Sequence, residues 1–346
     1  MKSYIYNGHE IVPVVEIYHD VIPYLGGITE KEFYTDTEKC ISAWKQANEA
    51  ITGYFGDRLS PNTPSAPPLS YGHLVSLGVP LRQPEDSEPN VQACVGSIEE
   101  GIDFLRERKG IDFGDCDVCR RYIEMNRALG EAFPDARIAP LAGYGYEGVI
   151  TTAVLLRGQD FFCDLYDEPE LTHTFLTLLN ESIIDFRKFS NRTNGFPEVN
   201  PYYEGIPDDF ASLIPPALWR EFVIPYWNHY FASLTTGSVR HVHCENTVPQ
   251  QLQYLKEAGI TNYQPSVANA LTIENIRENT DIPFDWLLYA YRITEMTDAD
   301  IEAWVDHAVQ SGITRIRTQF GKYAWSIGKM DRILAFFKAF DKYCTE

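Results

Sequence analysis

The chain has 346 residues, of which 44% are hydrophobic and 23% are charged, a composition typical of a globular protein with a large buried core. Its 49 acidic and 29 basic residues give a formal net charge of -20 at pH 7, which disfavours nucleic acid and anionic membranes as partners. No signal-peptide pattern or long apolar run is visible. The seven scattered cysteines do not resemble a disulfide framework. We therefore expect a cytoplasmic protein.

The chain is predicted to begin with a buried strand followed by a helix. Residues 11–18 (IVPVVEIY) are almost all apolar and rich in β-branched side chains, which is typical of a strand buried on both faces. A helix is predicted over 29–52, because Thr29 and Glu32 have the spacing of a capping box at its start. The proline- and serine-rich residues 60–68 must form a loop. Long loops in compact domains are often functional, so we expect this loop near a pocket.

Two further helices are predicted between residues 97 and 132. Ser97 and Glu100 form a second capping-box pattern at the start of the first helix, and the second helix covers 115–132. Cys116 and Cys119 lie at the start of this second helix as a C-x-x-C pair. Such a pair is a weak signal by itself, since redox or metal chemistry needs a suitable fold or further ligands.

Strands and helices alternate in the rest of the chain. Strands are predicted over 198–206, 260–265, 284–292 and 314–320. Residues 138–148 are predicted to be a strand that opens into a loop rich in glycine and tyrosine, and residues 238–246 a strand followed by the start of a helix. Helices are predicted over 168–189, 215–230, 249–258, 272–279, 298–310 and 329–342. This alternation is typical of a parallel sheet with helical crossovers. Because nothing marks a domain boundary, we predict an α/β protein with one domain over residues 1–346, built as a single (β/α)8 TIM barrel.

The stretch 238–246 (SVRHVHCEN) is the strongest candidate for chemistry. Side chains alternate between the two faces of a strand, so His241, His243 and Glu245 share one face and Cys244 faces the other way. Imidazole and carboxylate groups are good ligands for zinc or a similar divalent ion. In the alternative interpretation, both histidines are hydrogen-bonded core residues and Glu245 caps the next helix. The residues alone leave both interpretations open.

Three segments resemble the uroporphyrinogen decarboxylase superfamily, which includes cobalamin-linked methyltransferases. They are residues 148–184 with the run YDEPE, residues 208–226 with Asp208-Asp209 followed by PALWREFVIPY, and residues 243–259, which are similar to the family's H-x-C-G-N segment. The resemblance covers most of the chain beyond the first helices and implies a TIM barrel. It also implies methyl transfer between a small methylated substrate and the corrinoid of a partner protein.

Two motifs of that family are altered in this chain. The decarboxylases carry an Arg-rich motif for a substrate with many carboxylates, whereas residues 16–20 here read EIYHD. Decarboxylation of uroporphyrinogen is therefore not expected. The methyltransferases hold a metal through H-x-C and a later Cys. Here His243 matches the His, Glu245 replaces the Cys, and no Cys lies near Gln319. An H-x-E pair favours oxygen donors over thiolates.

The leading interpretation is a methyltransferase in which a divalent metal, with zinc as the first choice, activates the atom that carries the methyl group. The candidate metal ligands are His243, Glu245, Glu16, His19, His241 and, if a β-bulge turns it inward, Cys244. The candidate substrate-binding residues are Tyr144, Tyr146, Tyr203, Tyr291, Gln264 and Gln319, with packing as the alternative for the tyrosines. The expected partners are a methyl donor (an ether, amine or thiol) and a corrinoid protein, and a homodimer is left open.

Two alternative functions remain open from the sequence. One is a decarboxylase or lyase of a small carboxylic acid, with Asp208 or Asp209 as the general acid and Arg292 binding the carboxylate. The other is a ligand-binding barrel without catalysis. Bound metal would separate the leading interpretation from these two.

Overall fold

The computed structural model describes residues 3–345, except for the side chain of Thr345. The secondary structure is mixed α/β, as predicted. The strands are β1 (Ser3–Tyr6), β2 (His9–Ile17), β3 (Leu81–Arg82), β4 (Asn90–Val91), β5 (Tyr203–Pro207), β6 (Val239–His243), β7 (Asn262–Gln264), β8 (Trp286–Leu288), β9 (Arg315–Phe320) and β10 (Cys344–Thr345).

Helices connect these strands. The α-helices are α1 (Val21–Gly26), α2 (Glu30–Thr35), α3 (Thr37–Phe55), α4 (Gly72–Ser76), α5 (Ile98–Glu107), α6 (Asp117–Ala132), α7 (Val149–Arg157), α8 (Phe161–Asp167), α9 (Pro169–Thr193), α10 (Trp219–Phe222), α11 (Ile224–Leu234), α12 (Pro249–Glu257), α13 (Ile273–Asn279), α14 (Ala290–Glu295), α15 (Asp298–Gln310), α16 (Lys322–Ser326) and α17 (Asp331–Ala339). Short 3-10 helices occur at Gly56–Arg58, Asp209–Leu213, Pro216–Leu218 and Asp341–Tyr343. Over the described residues, no helix combines the length and the apolar character needed to cross a membrane.

The chain divides into two compact units. The first unit contains the residues up to Pro64, Pro265–Val267 and the residues from Phe284 onward. The second unit contains Ser65–Gln264 and Ala268–Pro283. The single domain over residues 1–346 stays a prediction.

The first unit is built on a five-stranded sheet with the order β10-β1-β2-β9-β8. Strands β2, β9 and β8 are parallel, and β1 pairs antiparallel with β2. The Val12 N–H donates to Thr314 O of the neighbouring segment, so the backbone nitrogen of the next residue, Pro13, points away from β9. Proline has no N–H to donate, and the pairing with β9 needs none at this position. The apolar pattern of residues 11–18 thus becomes a strand with Ile11 and Ile17 in the core.

The second unit contains a three-stranded parallel sheet, β5-β6-β7. Pro207 pairs with His243, and His243 pairs with Gln264, so the carboxyl ends of all three strands lie at one edge. The core of this unit is aromatic, with Trp219, Trp227, Tyr230 and Phe231 buried. The register of the sheet therefore places the residues that follow β5, β6 and β7 side by side.

The strand pairing in residues 3–345 does not show the predicted closed barrel of eight strands. The strands form a five-stranded, a three-stranded and a two-stranded sheet. The strand predicted at the start of residues 138–148 is not formed, and the segment is a loop in which an isolated bridge joins Tyr144 to Leu69. Gly143 has φ +81° in this loop, and a Cβ there would lie 2.3 Å from Ala66 O. This left-handed glycine interrupts the extended chain, which a composition rich in apolar residues does not reveal.

The helix predicted over 29–52 is two helices. The capping box at Thr29 and Glu32 is confirmed, but Asp36 is extended (φ -118°, ψ 105°) and separates α2 from α3. Its carboxylate accepts a hydrogen bond from Lys39 N at 3.1 Å. Aspartate is a strong N-cap residue, so it begins a new helix instead of continuing the old one.

The second predicted capping box is only half formed. Ser97 Oγ accepts a hydrogen bond from Glu100 N at 3.2 Å, but the Glu100 carboxylate accepts one from Gly96 N instead of Ser97 N. The helix predicted over 215–230 is also interrupted, because Val223 (φ -117°, ψ -60°) separates α10 from α11. The predicted loop over 60–68 is confirmed.

Replacement of Asp36 by alanine removes the cap of α3. We expect a loss of about 1 kcal/mol in the free energy of unfolding, measured by urea denaturation. Asp36→Asn keeps an acceptor oxygen and should stay close to the wild type. Equal losses in the two variants would contradict a capping role.

Candidate functional site

A cluster of polar side chains lies at the carboxyl edge of β5, β6 and β7. Its members are Glu147, Asp209, His243, Glu245 and Gln264, and we call this set the edge cluster. His243 Nε2 lies 3.4 Å from Asp209 Oδ1 and 3.9 Å from Glu245 Oε1. Its Nδ1 lies 2.5 Å from Gln264 Oε1. Ligand sites of parallel α/β folds lie at this end of the strands.

The imidazole of His243 is held between an amide and two carboxylates. The Asp209 carboxylate is itself fixed, because its Oδ1 accepts a hydrogen bond from Glu245 N at 2.9 Å. The side chains of His243, Asp209 and Glu245 are 28%, 34% and 31% exposed. These side chains are therefore held by their polar contacts and are still partly exposed to a small molecule.

Asp208 lies at the centre of the hydrogen bonds that support this edge. Its side chain is fully buried and accepts hydrogen bonds from Thr151 N (2.8 Å), Ile150 N (3.4 Å) and Trp227 Nε1 (2.8 Å). The first two donors belong to the N-terminal turn of α7, where backbone N–H groups need acceptors. Burial raises the pKa of Asp208 to about 6, although the bonds from Trp227 and Thr151 lower it. Because its side chain is fully buried, Asp208 offers no exposed atom to a substrate.

The position before α7 must be glycine. A Cβ on Gly148 would lie 2.4 Å from both Cβ and Cγ of Asp208. The Gly148 N–H donates to Pro207 O at 2.5 Å. This close approach brings residue 147 next to the end of β5.

Glu147 is the functional candidate that the sequence did not reveal. Its Oε2 is enclosed and has no hydrogen-bond partner among the described residues. Burial and the nearby charges of Asp209 and Asp208 raise the pKa of Glu147 to about 8, while a hydrogen bond with Ser70 lowers it. At neutral pH the edge cluster therefore contains a carboxylic acid beside a carboxylate. Two carboxyl groups with different protonation states are typical of acid–base sites.

The thiol of Cys244 is enclosed in the core, although Cys244 lies between His243 and Glu245 in the chain. It is fully buried, and its Sγ lies 3.8 Å from Asp209 O. Burial and the charges of Asp208 and Asp209 raise the pKa of its thiol well above the usual value. The thiol thus faces the core, as predicted, although β6 ends at His243 and Cys244 follows the strand. His241, two residues before His243 on β6, is half-buried beside Gly205 and Asn262.

The predicted substrate-binding tyrosines of the second unit lie in different surroundings. Tyr144 is buried and its hydroxyl contacts Ser76 Oγ at 2.8 Å. The Tyr146 hydroxyl contacts Tyr230 Oη at 2.6 Å and donates to Gly205 O at 2.9 Å. Both have internal partners that explain their positions, whereas Tyr203 is 57% exposed. Of the predicted substrate-binding residues, Gln264 is the one in the edge cluster.

The remaining predicted residues belong to the first unit. Glu16 forms an ion pair with the buried Arg317, and Gln319 is buried on β9 opposite Glu16. The His19 ring packs edge-on against Tyr34. Tyr291 and Arg292 are exposed on α14. Their predicted roles stay predictions.

The edge cluster does not fit the expected metal site. In residues 3–345 no group of three or more His, Cys, Asp or Glu side chains is arranged to hold a metal ion. His243 and Glu245 are neighbours, but the thiol of Cys244 is buried away from them, and the carboxylate of Glu16 is paired with Arg317. This donor set therefore gives no support to a metal-dependent step.

Replacement of Asp208 by alanine leaves the Ile150 and Thr151 N–H groups and the Trp227 indole N–H without an acceptor. We expect a loss of at least about 2 kcal/mol in the free energy of unfolding, measured by urea denaturation. Asp103→Ala, at an exposed position of α5, is the matched control and should change stability by about 0.5 kcal/mol or less. Similar losses in both variants would show that Asp208 is not the support of this edge.

Glu147 makes the stability of the protein depend on pH. Its pKa rises from 4.5 to about 8 on folding, so the folded state holds a proton that the unfolded state releases. The stabilisation is complete below pH 4.5 and is lost as the pH rises to 8. In Glu147→Gln this pH dependence is absent, so the variant gains stability relative to the wild type over this range. Urea denaturation at several pH values tests this, and a difference that does not change with pH would contradict it.

The fold of this chain is shared with a known enzyme. A methyltransferase from Methanosarcina mazei matches with a TM-score of 0.65 and 17% sequence identity, over 96% of this chain and 94% of that one. No protein-family model and no curated protein matches the sequence. At this level of identity the structural likeness establishes a common fold.

Proposed function

We propose that this protein is a methyltransferase that moves a methyl group between a small methylated substrate (an ether, amine or thiol) and a corrinoid carried by a partner protein. The fold shared with a methyltransferase supports this, together with the sequence segments that resemble cobalamin-linked methyltransferases. The observation that carries the proposal is the enclosed carboxyl group of Glu147, whose Oε2 has no hydrogen-bond partner among the described residues and whose pKa is raised by burial and by Asp209.

The proposed chemistry is a proton transfer at the atom that loses the methyl group. An oxygen, sulfur or nitrogen atom leaves more easily when it receives a proton as the bond to carbon breaks. Glu147 holds this proton at neutral pH because burial and Asp209 disfavour its ionised form. The substrate is oriented against this acid by His243 and Glu245. The imidazole of His243 is itself held by Gln264 and Asp209.

The corrinoid belongs to the proposal, whereas the metal does not. The corrinoid would accept the methyl group when bound, and no residue of this chain is assigned to hold it. The divalent metal expected from the His-x-Glu pattern is not used, because the donor arrangement does not support it. We also propose a cytoplasmic location, since none of the seven cysteines is in a disulfide.

The TIM barrel implied by the resemblance is kept as a proposal. Eight extended segments follow one another in the chain: β2, the bridge residues Leu69 and Tyr144, and strands β5, β6, β7, β8 and β9. Two of them are shortened to the two residues of one bridge. This number and order support a barrel whose second and third strands are minimal.

Methyl transfer to cob(I)alamin from a panel of methyl ethers, amines and thioethers tests the proposed function. We expect turnover with at least one substrate and a loss of about 10²–10⁴-fold in Glu147→Gln, the range typical of a general acid. Glu147→Asp keeps the acid and should retain more activity. Glu131→Gln, at a 67% exposed position, is the control and should match the wild type. No transfer from any substrate, or full activity of Glu147→Gln, would refute the proposal.

A further inference from the structure

The C-x-x-C pair lies in the first turn of a long helix. Cys116 is the N-cap residue of α6, a helix of 16 residues, and Cys119 follows one turn later. From the rise and radius of an α-helix, the two Cα atoms are about 5 Å apart, within the span of about 4.4–6.8 Å that a disulfide bridges. The structure thus supplies the fold context that the sequence alone lacked.

The two thiols differ in access to solvent. Cys116 is half-buried, and Cys119 is fully buried. Burial and the charge of the neighbouring Cys116 raise the pKa of the Cys119 thiol to about 12. The Cys116 Sγ also contacts Tyr144 Oη (3.9 Å) and Val75 O (3.8 Å). Cys116 is therefore the more exposed cysteine of the pair, and Cys119 is enclosed one turn away.

We propose that Cys116 and Cys119 form a reversible dithiol–disulfide pair whose oxidant is a low-molecular-weight disulfide such as glutathione disulfide. Cys116 is the attacking thiol, because it is the accessible one, and Cys119 is the resolving thiol. A pair of this kind fits a reducing compartment, where disulfides are transient and redox-sensing.

The exchange takes place in two steps. The Cys116 sulfur loses its proton and attacks one sulfur of the oxidant, whose S–S bond breaks to release one thiol. The Cys119 sulfur then loses its proton and attacks Cys116 Sγ in the mixed disulfide. The second thiol leaves and the Cys116–Cys119 bond forms. Two cysteine thiols are oxidised and one small disulfide is reduced to two thiols.

The other cysteines provide internal comparisons. Cys94 and Cys163 are exposed, so they can react with the same oxidant, but neither has a second cysteine one turn away in its helix or loop. They should therefore stop at the mixed disulfide. Cys40 and Cys244 are fully buried and should not react while the protein is folded.

The test uses the full chain, reduced and then equilibrated in glutathione buffers of increasing oxidised fraction. Free thiols are alkylated and each cysteine is followed by peptide mass spectrometry. We expect the peptide with Cys116 and Cys119 to lose two hydrogens without retaining glutathione, while Cys163 carries a glutathione adduct. Cys119→Ser should accumulate the adduct on Cys116, because the resolving thiol is absent. Cys163→Ser is the control and should leave the transition at Cys116 and Cys119 unchanged.

Two results would overturn the proposal. The first is a stable glutathione adduct on Cys116 of the wild type while Cys119 stays reduced. The second is a fully reduced pair under conditions in which Cys163 is modified. Both are read from the wild-type protein alone, so the outcome does not depend on whether the Cys119 variant folds.

Discussion

The buried carboxyl group of Asp208 is the constraint on which the candidate site depends. It accepts hydrogen bonds from the first turn of α7 and from Trp227 of α11, and its own N–H donates to His243 O at the end of β6. One residue thus joins two strands and two helices. An enclosed carboxyl group is costly unless its oxygens are satisfied, so these elements hold one another in a single arrangement.

The chemistry of the edge cluster follows from this arrangement. Because Gly148 lies against Asp208, Glu147 is kept beside the end of β5, near the carboxylate of Asp209. Burial of Glu147 and, after it, the nearby charges of Asp209 and Asp208 disfavour the ionised form of Glu147 and raise its pKa. The same support that stabilises the second unit therefore provides an acid, a carboxylate and an imidazole at one edge.

The sequence predicts the parts of this site that depend on local rules. Strand alternation predicts that His243 and Glu245 lie together and that Cys244 faces the core; the side chains have these positions, although β6 ends at His243. The pairing of His243 with Gln264 depends on the register of two strands, which residue patterns do not fix. Glu147 was missed because its raised pKa comes from burial in the folded protein and from aspartates about 60 positions later in the chain. The strand predicted at the start of residues 138–148 was wrong, because the left-handed Gly143 interrupts the extended chain and leaves a single bridge at Tyr144.

The central claim is that Glu147 carries a proton at neutral pH in the folded protein. A titration of ¹³C-carboxyl-labelled glutamate by NMR, with the signal of Glu147 identified by its absence in Glu147→Gln, measures this directly. We expect a midpoint for Glu147 near pH 8, while exposed glutamates titrate at about pH 4. A midpoint for Glu147 among those of the exposed glutamates would show that Glu147 is ionised at neutral pH and is not the proposed acid.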